Sequence, residues 1–245
     1  WAQQSAQNQN QGATSSTLVP KDARTRAKAH TELGALYFQS GNLIVALEEL
    51  TLAAAIDPEY ATAFSTRALV LYHVKEYESA EKDFQRAISL DGRNPEINNN
   101  YGWFLCSQGG KPEQGMAMLR QAIEAPAAGS PAKPWTNLCV CQMRQGDLDG
   151  AEKSLTRATY IDANNPLTNV TLAELYYKRR EYSRAMPFIE RVNGRSPSAG
   201  SLWLGARIAR RLGDVSQQNA WSAQLQRRFP NAPEEAAFER GAWDD

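Results

Sequence analysis

LGALYFQSGNLIVALEELTLAAAIDP, residues 33–58, reads as two helices joined by a tight turn. Small residues stand at Gly34 and Ala46, 12 positions apart, with Gly41 between them. Leu50 and Ala53 follow Ala46 at steps of four and three, which places all three on one helical face. Side chains this small let two helix backbones approach closely, and Tyr37 fills the space left beside them. Pro58 stops the second helix, because proline disfavours helical conformation in the residue before it.

The same pattern returns along the chain. A second copy carries Ala68, Leu71, Ala80, Phe84, Ala87 and Pro95, and a third carries Tyr101-Gly102, Leu105, Gly109, Gly115, Leu119 and Ala122. A fourth has Leu138-Cys139, Gly146, Ala151, Leu155, Ala158 and Pro166; a fifth has Leu172-Ala173, Tyr176, Ala185, Ile189, Val192 and Pro197. A worn sixth keeps Leu204-Gly205, Ile208, Gly213, Leu225 and Pro230. The 12-residue step recurs from Ala68 to Ala80, Cys139 to Ala151 and Ala173 to Ala185. A period near 34 decides the fold. The pattern resembles the tetratricopeptide repeat and covers roughly Lys28 to Pro230. The expected architecture is all-α, a right-handed superhelix of about six helix-turn-helix repeats near 27–60, 61–94, 95–131, 132–165, 166–197 and 198–231. APAAGSPAKP, residues 125–134, predicts a longer loop between the third and fourth copies.

The flanks read differently. Residues 1–17, WAQQSAQNQNQGATSST, offer little apolar surface to offset ordering entropy, so a disordered polar tether over 1–20 is expected. With neither an initiator Met nor a signal peptide, the sequence reads as a processed or trimmed chain. Residues 235–245 read as a polar C-terminal tail. Lys+Arg and Asp+Glu are both 27, so the basic excess that neutralises nucleic-acid phosphates is missing and no nucleic-acid partner is expected. No stretch approaches the roughly 20 apolar residues needed to span a bilayer.

A single two-helix unit cannot bury its own apolar face, so neighbours must stack. In such stacks the first helices line a concave groove that takes a peptide, a helix or a chain terminus. Its lining falls at the second, fifth, ninth, twelfth and thirteenth residues of each first helix. In the second copy these are Thr62, Ser65, Leu69, Tyr72 and His73. In the third they are Glu96, Asn99, Trp103, Cys106 and Ser107, and in the fifth Leu167, Val170, Glu174, Tyr177 and Lys178. Aromatic groups beside Asn, Glu and Lys suit a partner segment with apolar anchors and a polar backbone. Packing between repeats is the alternative role for Trp103 and Tyr72.

Candidate chemistry is sparse. Cys139-Val140-Cys141 lacks the second ligand pair of a zinc ribbon, and neither His30 nor His73 lies near it in sequence to activate a thiol. Three cysteines allow one bridge and one free thiol, or three reduced thiols. Cys106 stands late on the first helix of copy three, while Cys139 and Cys141 lie midway along that of copy four, so a bridge between adjacent helices is feasible. Cys139 takes the small-residue position facing its own partner helix, which argues for a buried free thiol and leaves Cys106–Cys141 as the better pair. Such a bridge requires an oxidising compartment. Gly109-Gly110-Lys111 lacks the spacing and preceding strand of a phosphate loop and reads as an interhelical turn. Arg207, Arg210 and Arg211 read as a solvated helix face, with a patch for acidic partners or lipid headgroups as the alternative. No nucleophile, acid–base pair or metal cluster emerges, so neither catalysis nor a cofactor is expected.

Three stretches go beyond the generic repeat: NNNYGWFLCSQG (98–109), WTNLCVCQMRQGDLDGAEKSL (135–155) and LWLGARIARRLGDVSQQNAWSAQLQRRFPNAPE (202–234). They resemble the PilF/PilW family, tetratricopeptide lipoproteins of type IV pilus biogenesis in Gram-negative bacteria. The resemblance implies a position on the periplasmic side of the outer membrane, held by an N-terminal lipidated Cys that this sequence does not contain. It implies a pilotin-like role: binding the outer-membrane secretin or other pilus proteins, and promoting secretin localisation and multimerisation or pilus stability. It also implies Cys at the positions of Cys106 and Cys141, with Cys139 in place of a small residue. A monomer is expected for the isolated chain. The rival reading is a cytoplasmic co-chaperone or generic scaffold that clamps a peptide terminus, which would need Lys, Asn and Arg on adjacent first helices. Asn99 and Asn100 stand in that region, but basic residues are sparse there.

Overall fold

A computed structural model describes residues 18–108, 110–125 and 132–243. Among these residues every regular element is a helix: α1 Leu18–Gln39, α2 Leu43–Ile56, α3 Ala61–His73, α4 Tyr77–Leu90, α5 Pro95–Ser107, α6 Pro112–Glu124, α7 Ala132–Arg144, α8 Leu148–Ile161, α9 Pro166–Lys178, α10 Tyr182–Asn193, α11 Ala199–Leu212, α12 Val215–Arg228 and α13 Pro233–Glu239. The chain forms two compact units, 1–111 and 112–245. The first holds α1 to α5 and the second α6 to α13.

Local chemistry places the helix ends. The side chains of Asn42, Asp147, Asn165 and Asp214 each accept a hydrogen bond from a backbone N–H in the first turn of α2, α8, α9 and α12. Asn94 does the same for α5, and Ser198 with Ser201 forms a capping box at α11. These caps satisfy donors that have no partner within the helix. Pro95, Pro166 and Pro233 open their helices, where a missing N–H goes unnoticed. The turn inside a repeat needs one residue at positive φ: Gly41 (81°), Gly146 (79°) and Gly213 (76°) supply it without strain, and Lys75 (66°) and Arg180 (60°) occupy the matching place in the second and fifth repeats.

The pairing follows the small residues. Within the first unit α1 packs on α2 and α3 on α4; within the second α7 packs on α8, α9 on α10 and α11 on α12. Each second helix also meets the first helix of the next repeat, as α2 meets α3 and α10 meets α11. A methyl group at Gly34 would stand 2.6 Å from Leu50 Cγ, which shows how closely α1 and α2 approach. Ala46, Leu50 and Ala53 are fully buried on α2, as are Ala80, Phe84 and Ala87 on α4 and Ala151, Leu155 and Ala158 on α8. Phe84 stacks on Tyr101 at 5.3 Å and meets Phe104 at 5.3 Å, carrying the first core from α4 into α5.

Polar contacts add register to this packing. Arg67 on α3 grips Asp83 on α4 with two bonds, Nε–Oδ2 at 2.6 Å and Nη2–Oδ1 at 2.9 Å. In the second unit Glu152 on α8 accepts from Arg184 Nη2 at 3.0 Å and from Tyr176 Oη at 3.2 Å, and it also pairs with Arg179. Burial raises the Glu152 carboxyl, but the Arg184 bond and the Arg179 charge outweigh it and hold the group below the usual carboxylate range.

Three expectations meet the structure at the chain's margins. Helix α1 begins at Leu18, inside the 1–20 tether; residues 1–17 lie outside the described residues. Of the expected loop over 125–134, residues 126–131 also lie outside them, while Ala132 to Pro134 form the first turn of α7, where proline is tolerated. The expected polar tail is instead a thirteenth helix and a turn that seats Trp243. Pro233 opens that helix, and Gly241 (φ 69°) reverses the chain so that the indole reaches Trp203 at 4.8 Å and Phe238 at 5.6 Å. Burial of those rings outweighs the charged composition of the segment.

Candidate partner-binding surfaces

In the first unit the first helices carry a row of rings. Phe38 on α1 meets His73 on α3 edge-on at 4.9 Å. His73 meets Tyr72 at 5.3 Å, and Tyr72 meets Trp103 on α5 at 4.6 Å and Tyr77 at 5.7 Å. Edge-to-face contacts of this kind favour fixed ring orientations. His73 is exposed; Phe38, Tyr72 and Trp103 are half-buried, so each ring packs on one side and meets solvent on the other. Thr62, Leu69 and Ser107 flank the row and are also half-buried. Leu69 supplies the carbonyl that faces His73 Nδ1 at 3.1 Å, and the Ser107 hydroxyl donates to the Phe104 carbonyl at 3.1 Å.

Two residues assigned to the groove lie elsewhere. Ser65 and Asn99 are buried, 2% and 3% exposed. Ser65 Oγ accepts from Asn100 Nδ2 at 3.4 Å, and Asn99 Nδ2 donates to Asn100 Oδ1 at 3.2 Å. At Ser65 and Asn99 a neighbouring first helix covers the fifth position, so these side chains hold the seam between first helices together. The second unit repeats the arrangement, with Thr136 Oγ1 3.0 Å from Thr168 Oγ1 across α7 and α9.

In the second unit Glu174, Tyr177 and Lys178 line a cavity of about 510 Å³ between α9, α11 and α13. Trp203 and Arg207 from α11 and Glu234 from α13 complete most of its wall. Arg207 sits with its guanidinium 4.7 Å from the Tyr177 ring centre and donates from Nε to the Trp243 carbonyl at 3.1 Å. Arg210 covers the Trp243 ring at 4.7 Å and Arg211 lies over Tyr182 at 5.9 Å. The arginines read as a solvated face therefore also cover aromatic rings, with Arg210 and Arg211 exposed and Arg207 half-buried. Glu174 is open to solvent but recessed among these groups. Desolvation pushes its carboxyl above the usual range, against the pull of the Lys178 charge.

The α11 residues of this wall follow the register of the other copies. Gly200, Trp203, Arg207, Arg210 and Arg211 are the second, fifth, ninth, twelfth and thirteenth residues of α11, the places that mark the groove in the earlier repeats. Extending that register to the worn sixth copy would have found them. Glu234 and Trp243 had no comparable signal, because they follow the last repeat.

Cys139 is a free, fully buried thiol with its sulfur 3.6 Å from Met143 Sδ. Burial, aided by the Glu174 charge, pushes it up to about 12, so it is inert as a nucleophile at neutral pH. No helix among the described residues is long and apolar enough to cross a membrane.

The comparisons with known proteins agree with this architecture. Residues 142–207 match the tetratricopeptide repeat family. Over 212 residues the chain is 29% identical to the type IV pilus assembly protein PilF of Pseudomonas aeruginosa, covering 86% of this chain and 84% of that protein. The crystal structure of PilW, a widely conserved type IV pilus biogenesis factor, superposes with a TM-score of 0.73 at 28% identity, over 85% of this chain and 96% of PilW. A structure of Pseudomonas aeruginosa PilF superposes with a TM-score of 0.69 at 28% identity, over 90% of this chain and 98% of that one.

Proposed function

From the premise that this chain is a tetratricopeptide-repeat protein related over most of its length to PilF and PilW, we propose that it is an assembly factor of type IV pilus biogenesis. It holds a segment of another protein, the outer-membrane secretin or another pilus component, on its first-helix faces. The observation that carries this reading is the ring row Phe38, His73, Tyr72 and Trp103, spread over three successive repeats and open to solvent on one side. Half-buried aromatic rings on a rigid support are the groups that supply most binding energy at protein interfaces. On this reading the protein promotes secretin localisation and multimerisation or pilus stability, needs no cofactor and is monomeric alone. It works at the periplasmic face of the outer membrane, where a lipid ahead of the polar N-terminal segment raises its local concentration.

A pull-down from outer-membrane extract tests this. The wild-type chain is expected to recover the secretin or a pilus subunit. Trp103→Ala is expected to lose about 2 kcal/mol of binding, roughly thirtyfold, with helical content unchanged. Recovery of neither protein, or recovery indifferent to Trp103→Ala, would sink the reading.

The same compartment permits the Cys106–Cys141 bond, which we propose forms in the envelope. Thiol titration in denaturant without reductant is then expected to find one thiol, and three after reduction. Under native conditions at pH 8 the single thiol, Cys139, is expected to react far more slowly than in denaturant, because burial withholds the thiolate. Three reactive thiols before reduction would point to the cytoplasm and to the co-chaperone reading.

A further inference from the structure

We infer that the cavity between α9, α11 and α13 is a second docking site, specific for a partner segment that presents a lysine or arginine side chain beside an apolar residue. The proposal rests on the reading of this chain as a peptide-holding array, but on a different surface from the ring row of the first unit. Its basis is two cavity carboxylates that make no direct ion pair. Glu174 and Glu234 both line it, and among the described residues neither has an ion-pair partner within 4.0 Å. Arg207 in the wall keeps its charge but is held in place by the Trp243 carbonyl and the Tyr177 ring. Lys178 stands one turn along from Glu174 on α9, exposed at the rim, where its long stem can move aside for a guest.

The same lining includes two aromatic residues. Tyr177 is half-buried with Arg207 over its ring, and Trp203, 8% exposed, is packed by Trp243 and Phe238. A carboxylate pair binds a cation through charge-assisted hydrogen bonds, and Leu204 and Tyr177 in the same lining give an adjacent apolar side chain a surface to cover. The ring row of the first unit carries no such charges; the two surfaces therefore select different parts of a partner.

Selection from a random dodecapeptide library displayed on phage tests the proposal, with the Trp103→Ala protein as bait so that the first unit's rings are weakened. Peptides with Lys or Arg next to an apolar residue are expected to be enriched. Their capture is expected to fall about tenfold or more in Glu174→Gln or Glu234→Gln, both nearly isosteric and on accessible positions, and to weaken with added salt. Thermal melts of each variant confirm that the array is intact. No enrichment, enrichment of acidic peptides, or basic peptides captured equally by both glutamine variants would each overturn the site. These outcomes are independent of the pull-down with Trp103→Ala, which reports on the first unit.

Discussion

Phe84→Ala is expected to destabilise the first unit by about 3–5 kcal/mol, the range for emptying a large buried aromatic position. Phe84 is fully buried on α4 and is the ring through which α4 reaches α5, by Tyr101 and Phe104. Its neighbours on the same face, Ala80 and Ala87, have no side chain long enough to fill the space. For a chain of this size the loss corresponds to roughly 10 °C in the melting of the affected part. Because stacked repeats depend on their nearest neighbours, hydrogen exchange should quicken in α3, α4 and α5 first. Unchanged protection in those helices would show that the ring contributes less than its burial implies.

Gly205→Leu is the matching experiment in the second unit. A methyl group at Gly205 would lie 2.7 Å from Asn193 Nδ2 and 2.7 Å from Trp221 Cε3, so α11 passes α10 and α12 with no room for a side chain. Neither neighbour yields easily. Trp221 is a buried ring, and Asn193 Nδ2 is tied to the Ser201 carbonyl at 3.1 Å. Removing a helical glycine returns about 1 kcal/mol of backbone propensity, but forcing a branched side chain into a filled seam costs more. The net expectation is a loss of about 3 kcal/mol, read as a lower melting temperature with faster exchange in α10, α11 and α12. An unchanged or raised melting temperature would mean that the helices can spread apart at this crossing.

Much of this was legible in the sequence. The 12-residue step between small positions records a close helix crossing, and a crossing leaves little choice of side chain, so Gly34, Ala46, Ala68 and Ala80 announce the fold directly. The groove register also set the direction in which Tyr72, Trp103, Glu174 and Tyr177 point. Depth was not legible. Ser65 and Asn99 share that direction but stand where the next first helix covers them, and polarity alone did not mark them as buried, because each finds a hydrogen bond in the seam. The C-terminal cap was hidden for a different reason. Phe238 and Trp243 stand among Glu234, Glu235, Glu239 and Arg240, and a helix as short as α13 shows too little periodicity to separate an apolar side from a charged one. Arg210 and Arg211 are exposed, as a solvated face requires, but spacing alone did not reveal the rings that they and Arg207 cover.

Among the described residues of each unit, no helix packs on another more than two places away along the chain. A polypeptide with only such short-range dependencies has no knot to tie and no distant strand to await. It can start to take shape at whichever end emerges first from a ribosome or a translocation pore, and each finished pair becomes the template for the next. The same locality makes it tolerant of tension, since a pull on one end peels repeats in sequence while the remainder keeps its grip.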